Sequence, residues 1–203
     1  METTNDIYKT IINPVENSLF KEKSSKFLGY AYHVTNEEHI KTYLEHVKKE
    51  HHSARHWCYA YQIGAETTTF RVNDDGEPNN SAGMPIYGQI QAFEVTNILV
   101  IVVRYFGGIK LGVGGLIQAY KTTAKQTLES CKIIEKTINT KFLILFEYKN
   151  MNKVMRIVKE KQLKIINQQL ELSCAISILV RKSIAENIYE TFKNIYGVSI
   201  KKL

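Results

Sequence analysis

NILVIVVRYFGGIKLGVGGLIQAYKTTAKQTLESC, residues 97–131, decides how the chain is read. NILVIVV (97–103) carries its most continuous apolar run, and a short apolar run bounded by turn formers reads as a buried strand. The strand is placed at 97–105. Five of the 11 glycines follow within RYFGGIKLGVGG (104–115), and LIQAYKTTAKQTLESC (116–131) has the composition of a helix. A strand, a tight glycine loop and a helix N-terminus in sequence form a place where backbone N–H groups can meet an anion.

Working outward, SSKFLGYAYHV (24–34) alternates as a strand. Asn36 is positioned to cap a helix over 37–52, with Ile40, Tyr43, Leu44 and Val47 on one face. RHWCYAYQIG (55–64) and TTTFRV (67–72) read as a hairpin across GAE. NDDGEPNNSAGMP (73–85) is the longest loop, and Pro85 is expected to open a short helix leading to the central strand.

Beyond about residue 136 the rhythm changes. KFLILFEY (141–148) reads as a strand, MNKVMRIVKEKQL (151–163) as a helix, and 164–180 as a strand pair. SIAENIYETFKNIYG (183–197) reads as a helix capped by Ser183 and stopped by Gly197, and VSIKKL as a last strand. β-α-β-β-α-β is the ferredoxin-like split pattern. The expectation is therefore an α+β protein of two domains, 1–135 and 136–203.

Composition narrows the partners. At 44% hydrophobic and 23% charged residues, the 203-residue chain has ordinary globular content. Its start, METTNDIYKT, lacks the apolar core of a secretory signal, and no apolar run reaches the roughly 20 residues that span a bilayer. Three isolated cysteines, Cys58, Cys131 and Cys174, fit reduced thiols in a cytoplasm, with no membrane association expected. The net charge of +7 is uneven: residues 1–135 hold 14 basic against 15 acidic side chains, residues 136–203 hold 13 against 5. A basic segment of that kind suits RNA or an RNA–protein particle, as well as a merely solvated surface.

The candidate sites are few. The glycine loop misses the P-loop signature, since Val113 and Gly114 follow Gly112 where Lys and Ser or Thr are needed. It misses GxGxxG from Gly112 because position 117 is Ile117. Asp74, Asp75 and Glu77 could hold a cation or do acid–base work, or simply form an Asx-type turn with Gly76 left-handed. His52 and His56 stand four apart with no HExxH glutamate, so no metal and no cofactor is expected. Arg55 and Arg104 flank strands, where each could meet a phosphate or pair with the acidic loop. No local motif compels an enzyme; one acting on a small molecule or peptide through the acidic and glycine-rich loops is the alternative to a binding protein.

RHWCYAY, DDGEP, AGMPI and VVRYFGGIKLGVGGLIQAY together, in this order and spacing, resemble the YigZ/IMPACT family. The match is dense over 55–120. Asn73, Asn79, Asn80 and Met84 depart from its usual residues. The resemblance implies an N-terminal domain like domain IV of the ribosomal translocase and a C-terminal domain like its domain V. It implies a translation-linked role, with RNA, the ribosome or a translation factor as partner, and leaves the molecular activity of bacterial-type members open. Eukaryotic relatives that compete for an activator of an initiation-factor kinase have other flanking domains, so that role does not carry over. The binding surface is expected on Tyr105, Phe106, Gly107, Gly108, Lys110, Gly112, Gly114 and Gly115. There the amides of 112–116 are expected to face a groove bordered by Arg104 and the DDGEP loop, and Arg55, His56, Asp74, Asp75 and Glu77 are expected to take part in binding.

Overall fold

The structure is a computed structural model that describes residues 6–203. These divide into two compact units, residues 8–136 and residues 137–203 together with Asp6 and Ile7. The first contains β1 (Ile7–Ile11), β2 (Val15–Glu22), β3 (Ser25–His33), α1 (Glu37–Glu50), β4 (His56–Ile63), β5 (Thr69–Asn73), α2 (Gly83–Ala92), β6 (Ile98–Tyr105), α3 (Gly112–Glu129) and β7 (Ile133–Thr137). Five strands form one sheet in the order β2-β3-β6-β4-β5, every neighbour antiparallel, while β1 pairs with β7 separately.

The apolar run is explained by what covers it. In a strand successive side chains point to opposite faces. Ile98, Val100 and Val102 join Phe27, Ala31, Cys58 and Ala60 against α2 and α3, whose Ile86, Ile90, Leu116, Tyr120 and Ala124 complete that core. Leu99, Ile101 and Val103 join Tyr30, Tyr32 and Tyr61 against Ile40 and Val47 of α1. Every residue from Ile98 to Val103 is 0% exposed. An antiparallel central strand buried on both faces has no polar positions to alternate.

Several boundaries differ from the sequence reading, each for a local reason. α1 starts where expected, with Asn36 Oδ1 accepting from the His39 N–H at 2.9 Å. α2 opens at Gly83 instead of Pro85, because Asp74 Oδ1 accepts from the N–H groups of Ala82 (2.9 Å) and Gly83 (2.8 Å) and so caps it. α3 opens at Gly112, four residues before the expected start. β1, β2 and β7 did not stand out from the sequence: they are short or largely exposed, and Asn17 at φ 59 breaks the alternation of β2 beside a register shift.

The second unit runs β8 (Asn139–Glu147), a 3-10 turn (Tyr148–Asn150), α4 (Met151–Glu160), β9 (Lys164–Leu170), β10 (Ser173–Arg181), α5 (Lys182–Lys193) and β11 (Val198–Lys202). Its antiparallel sheet has the order β11-β8-β10-β9, which is the ferredoxin-like arrangement. Phe142, Ile144, Phe146, Ile176 and Ile178 pack against Val154 and Val158 of α4 and Ile188 and Phe192 of α5. Ser183 does not cap α5. The helix begins one residue earlier, and Asp6 takes the capping role: its carboxylate accepts from the Ser183 N–H (3.2 Å) and from Arg181 Nε (2.7 Å) and Nη2 (2.8 Å). Nor does Gly197 stop α5, which ends at Lys193; Gly197, at φ 77, belongs to the turn into β11. Among the described residues, no helix is long and apolar enough to cross a membrane.

Candidate nucleic-acid interface

The site is built where β6 leaves the sheet. Lys23 and Ser24, at φ 43 and 66, make a two-residue turn between β2 and β3 of the type that fits hairpin twist. The tip of this hairpin rests on Gly107. The Gly107 N–H donates to Ser25 Oγ at 3.1 Å, and a Cβ at Gly107 would lie 2.1 Å from the Ser24 carbonyl carbon. Only glycine permits that approach. Gly108 (φ 88) and Gly112 (φ 71) turn the chain with left-handed backbone, whereas a Cβ at Gly114 would meet open space. The five glycines thus have different reasons: one close approach, two positive φ angles, and two, Gly114 and Gly115, in the first turn of α3.

With the hairpin seated, Lys21 and Lys26 are direct cross-strand partners, and Lys26 is in turn the partner of Tyr105. The three side chains share one face and one row of the sheet. A cleft of about 510 Å³ lies over them, lined by Leu19, Lys21, Ser24, Lys26, Leu28, His51, Tyr105 and Phe106. A second cleft, about 580 Å³, shares these two aromatics and is lined also by Ser53, Arg55 and His56. Neither lining contains a carboxylate. Phe106 is 49% exposed between them.

The acidic loop faces elsewhere. Asp74, besides capping α2, accepts from the Asn80 N–H at 2.8 Å. Asp75 accepts from the Trp57 N–H at 2.7 Å, and Asn73 Oδ1 accepts from the Asp75 N–H at 2.7 Å, so Asn73 makes the Asx-type turn itself. Asn80, at φ 60, occupies the left-handed region that Asn tolerates. Glu77 is buried and accepts from Arg104 Nη1 at 2.6 Å and from the Tyr120 hydroxyl at 2.8 Å. Arg104 is only 5% exposed, its guanidinium carbon 5.6 Å from the Phe27 ring and 5.5 Å from that of Phe106. A buried ion pair with these partners is internal, so Arg104 and Glu77 are committed to each other beneath the surface and do not offer free charges to an open groove. His56 links the two regions: it lines the second cleft and its Nδ1 contacts the Asp75 carbonyl at 2.9 Å. Lys110 is exposed on the loop.

Cys58 is fully buried, with Sγ 3.0 Å from the Asp74 carbonyl oxygen and 3.3 Å from the Tyr120 hydroxyl, contacts that its single S–H serves one at a time. Burial pushes its thiol, and the Tyr120 phenol, far up from their usual ranges. Both are therefore neutral and suited to packing, with no thiolate to act as nucleophile. Among the described residues no group of three or more His, Cys, Asp or Glu could hold a metal ion.

Seven cleft residues were not among the expected site residues: Leu19, Lys21, Ser24, Lys26, Leu28, His51 and Ser53. The signal available was KEKSSK (21–26), two lysines flanking a potential two-residue turn, which pairing register places opposite one another. His51 comes from the C-terminal end of α1, where its backbone N–H bonds the Val47 carbonyl at 2.9 Å.

Comparison with known proteins agrees with the motifs. The family model of the Impact N-terminal domain matches residues 23–128. An IMPACT family member of Haemophilus influenzae is 31% identical over 89% of this chain and 88% of its own length. YigZ of Escherichia coli, also an IMPACT family member, is 35% identical over 73% and 74%. A crystal structure of a hypothetical protein, 29% identical, superposes over 98% of this chain and 97% of that one with a TM-score of 0.71.

Proposed function

This chain belongs to the IMPACT family, and from that premise we propose that its N-terminal unit binds single-stranded RNA across the Tyr105–Phe106 clefts, in association with the ribosome or a translation factor. The observation that carries the reading is the row Lys21–Lys26–Tyr105 beside exposed Phe106. Like charges directly opposite on a sheet are unfavourable. An anion between Lys21 and Lys26 converts that repulsion into two favourable contacts. A phosphate does so, and the neighbouring aromatic supplies the platform on which a base stacks. Arg55 continues the positive edge into the second cleft. The excess of basic side chains in 136–203 adds long-range attraction for the same polyanion.

The reading is tested with a labelled 12-nucleotide oligouridylate, its binding followed by fluorescence anisotropy between 50 and 300 mM salt. Neutralising one phosphate of a single strand contributes roughly −0.7 to the slope of log K against log salt concentration. The double variant Lys21→Gln/Lys26→Gln is expected to weaken binding and to flatten the slope by roughly 1.4, two contacts' worth. No binding at low salt, or an unchanged slope in the variant, refutes the assignment of the cleft.

A further inference from the structure

We infer that the Tyr105 hydroxyl selects ribonucleotides over deoxyribonucleotides by accepting a hydrogen bond from a ribose 2′-hydroxyl. The inference rests on the RNA-binding reading of the cleft and concerns a hydroxyl on its floor whose proton is already committed.

The commitment follows from a chain of hydrogen bonds behind the cleft. Tyr30, 0% exposed, donates its hydroxyl proton to Asn17 Oδ1. Its oxygen is then left to accept from His51 Nε2, with which it is in contact. Glu50 Oε1, 3.7 Å from the same Nε2, also favours a proton on that nitrogen; with the single N–H of the neutral imidazole on Nε2, Nδ1 is an acceptor. Tyr105 lies 2.9 Å from that Nδ1 and is the group that must donate to it. The order of protons is thus fixed from Asn17 outward, through Tyr30 and His51, to the phenol of Tyr105. With its proton held by His51, the Tyr105 oxygen presents lone pairs, and no donor, to the cleft.

Position identifies which donor meets it. Tyr105 is flanked on one side by Lys26, its cross-strand partner, and on the other by Phe106, the next residue. In any nucleotide the sugar lies between phosphate and base. A phosphate at Lys21 and Lys26 and a base on Phe106 therefore leave the sugar over Tyr105. There a ribose offers a 2′-hydroxyl donor, a deoxyribose offers only C–H, and a 2′-O-methyl ribose offers an acceptor that faces another acceptor. The 2′-hydroxyl is the group by which a protein tells RNA from DNA.

Three 12-mers test this, oligouridylate, oligodeoxyuridylate and 2′-O-methyl oligouridylate, with wild type and Tyr105→Phe. One net hydrogen bond corresponds to about a threefold to tenfold preference. Wild type is expected to bind the ribo-oligomer that much more tightly than the deoxy form, and to discriminate at least as strongly against the methylated one. Tyr105→Phe keeps the aromatic floor and removes the acceptor, so the ratio of ribo to deoxy affinity is expected to collapse to about one. His51→Ala frees the Tyr105 proton to donate. Discrimination against the 2′-O-methyl oligomer is then expected to fall below that of wild type. Equal binding of ribo and deoxy forms by wild type overturns the inference while leaving the RNA-binding reading intact, and so does a preference that survives in Tyr105→Phe. Failure of all three oligomers to bind overturns both.

Discussion

Replacing Gly107 with alanine separates its role from that of the other glycines in the loop. The added Cβ would stand 2.1 Å from the Ser24 carbonyl carbon, 2.2 Å from its oxygen and 2.4 Å from the Ser25 nitrogen, all backbone atoms of the β2–β3 turn. Ordinary contact begins near 3.4 Å, so the hairpin tip has to retreat by about 1.3 Å. That movement breaks the bond from the Gly107 N–H to Ser25 Oγ, about 1 kcal/mol. It adds the strain of overpacking, about 1–3 kcal/mol. The sum is a loss of about 2–4 kcal/mol, or roughly 8–16 °C in Tm at about 4 °C per kcal/mol for a unit of this size.

The assay is specific to the unit concerned, because Trp57 is the single tryptophan and lies in β4. Urea unfolding followed by its fluorescence reads residues 8–136 without the ferredoxin-like unit. Gly108→Ala, at φ 88 with nothing near its Cβ, is expected to lose about 1 kcal/mol from backbone strain alone. Gly114→Ala has open space and a helical position, so it is expected to be neutral or stabilising by up to about 1 kcal/mol. The order Gly114→Ala, wild type, Gly108→Ala, Gly107→Ala is the prediction. A Gly107→Ala protein within about 0.5 kcal/mol of wild type, or a Gly114→Ala protein as unstable as Gly107→Ala, would refute the docking of the hairpin on the loop.

Other outcomes follow from the same geometry. Glu77→Gln leaves Arg104 as an uncompensated buried charge and should destabilise the N-terminal unit by about 3–5 kcal/mol in the Trp57 assay. The double variant Arg104→Met/Glu77→Leu should recover at least half of that loss, and no recovery would argue against burial as the cause. Cys58 should resist alkylation by iodoacetamide at pH 8 in the folded protein and react once unfolded in urea, as read by mass spectrometry. Half-buried Cys131, pushed up to about 11, should react slowly in the folded protein but sooner than Cys58. Arg181, with the Ser183 N–H, holds the Asp6 carboxyl well below the usual carboxylate range. A depressed carboxylate contributes stability in full above its unfolded value near 4, and loses it as pH falls through the folded value. Wild type and Asp6→Asn should therefore differ in thermal stability at pH 7, with the gap closing progressively below about pH 4; a gap independent of pH would exclude the ion pair as its source.

The sequence carried the long elements because each announces itself over many residues: the apolar run of β6, the alternation of β3 and β4, the Asn36 cap, and the β-α-β-β-α-β rhythm of the second unit. It did not carry β1, β2 and β7, whose exposed faces hold lysines and glutamates, nor the true start of α3. Three glycines in four positions read as loop, since each is unfavourable in a helix by about 1 kcal/mol relative to alanine. Here the burial of Leu116, Ala119, Tyr120 and Ala124 against the sheet outweighs that preference. The candidate site was legible as a segment but not as a geometry. Asp74, Asp75 and Glu77 are close in sequence and read as a cluster. Yet one caps a helix, one holds a strand end, and one pairs with an arginine 27 residues away.

That last pairing was within reach of parity. Once 98–103 is a strand buried on both faces, Arg104 follows Val100 and Val102 onto the α2–α3 face, and Tyr105 follows Ile101 and Val103 onto the α1 face. A guanidinium at the end of a fully buried row needs a carboxylate, because an unpaired buried charge is too costly. The acidic loop that ends at α2, on that same face, is where it must find one. A tyrosine on the opposite face, past the end of α1, has no helix over it and is left to line a cleft. Adjacent residues of one strand thus divide the work. Arg104 locks the acidic loop to the sheet, and Tyr105, held by His51, meets whatever the lysines of β2 and β3 attract. The two roles predict separable phenotypes: Glu77→Gln should lower stability while the protein that remains folded keeps its ribo-over-deoxy preference. Tyr105→Phe should erase the preference with little change in the urea midpoint. A Glu77→Gln protein that is fully folded yet indifferent to the sugar would show that the two faces of β6 do not act independently.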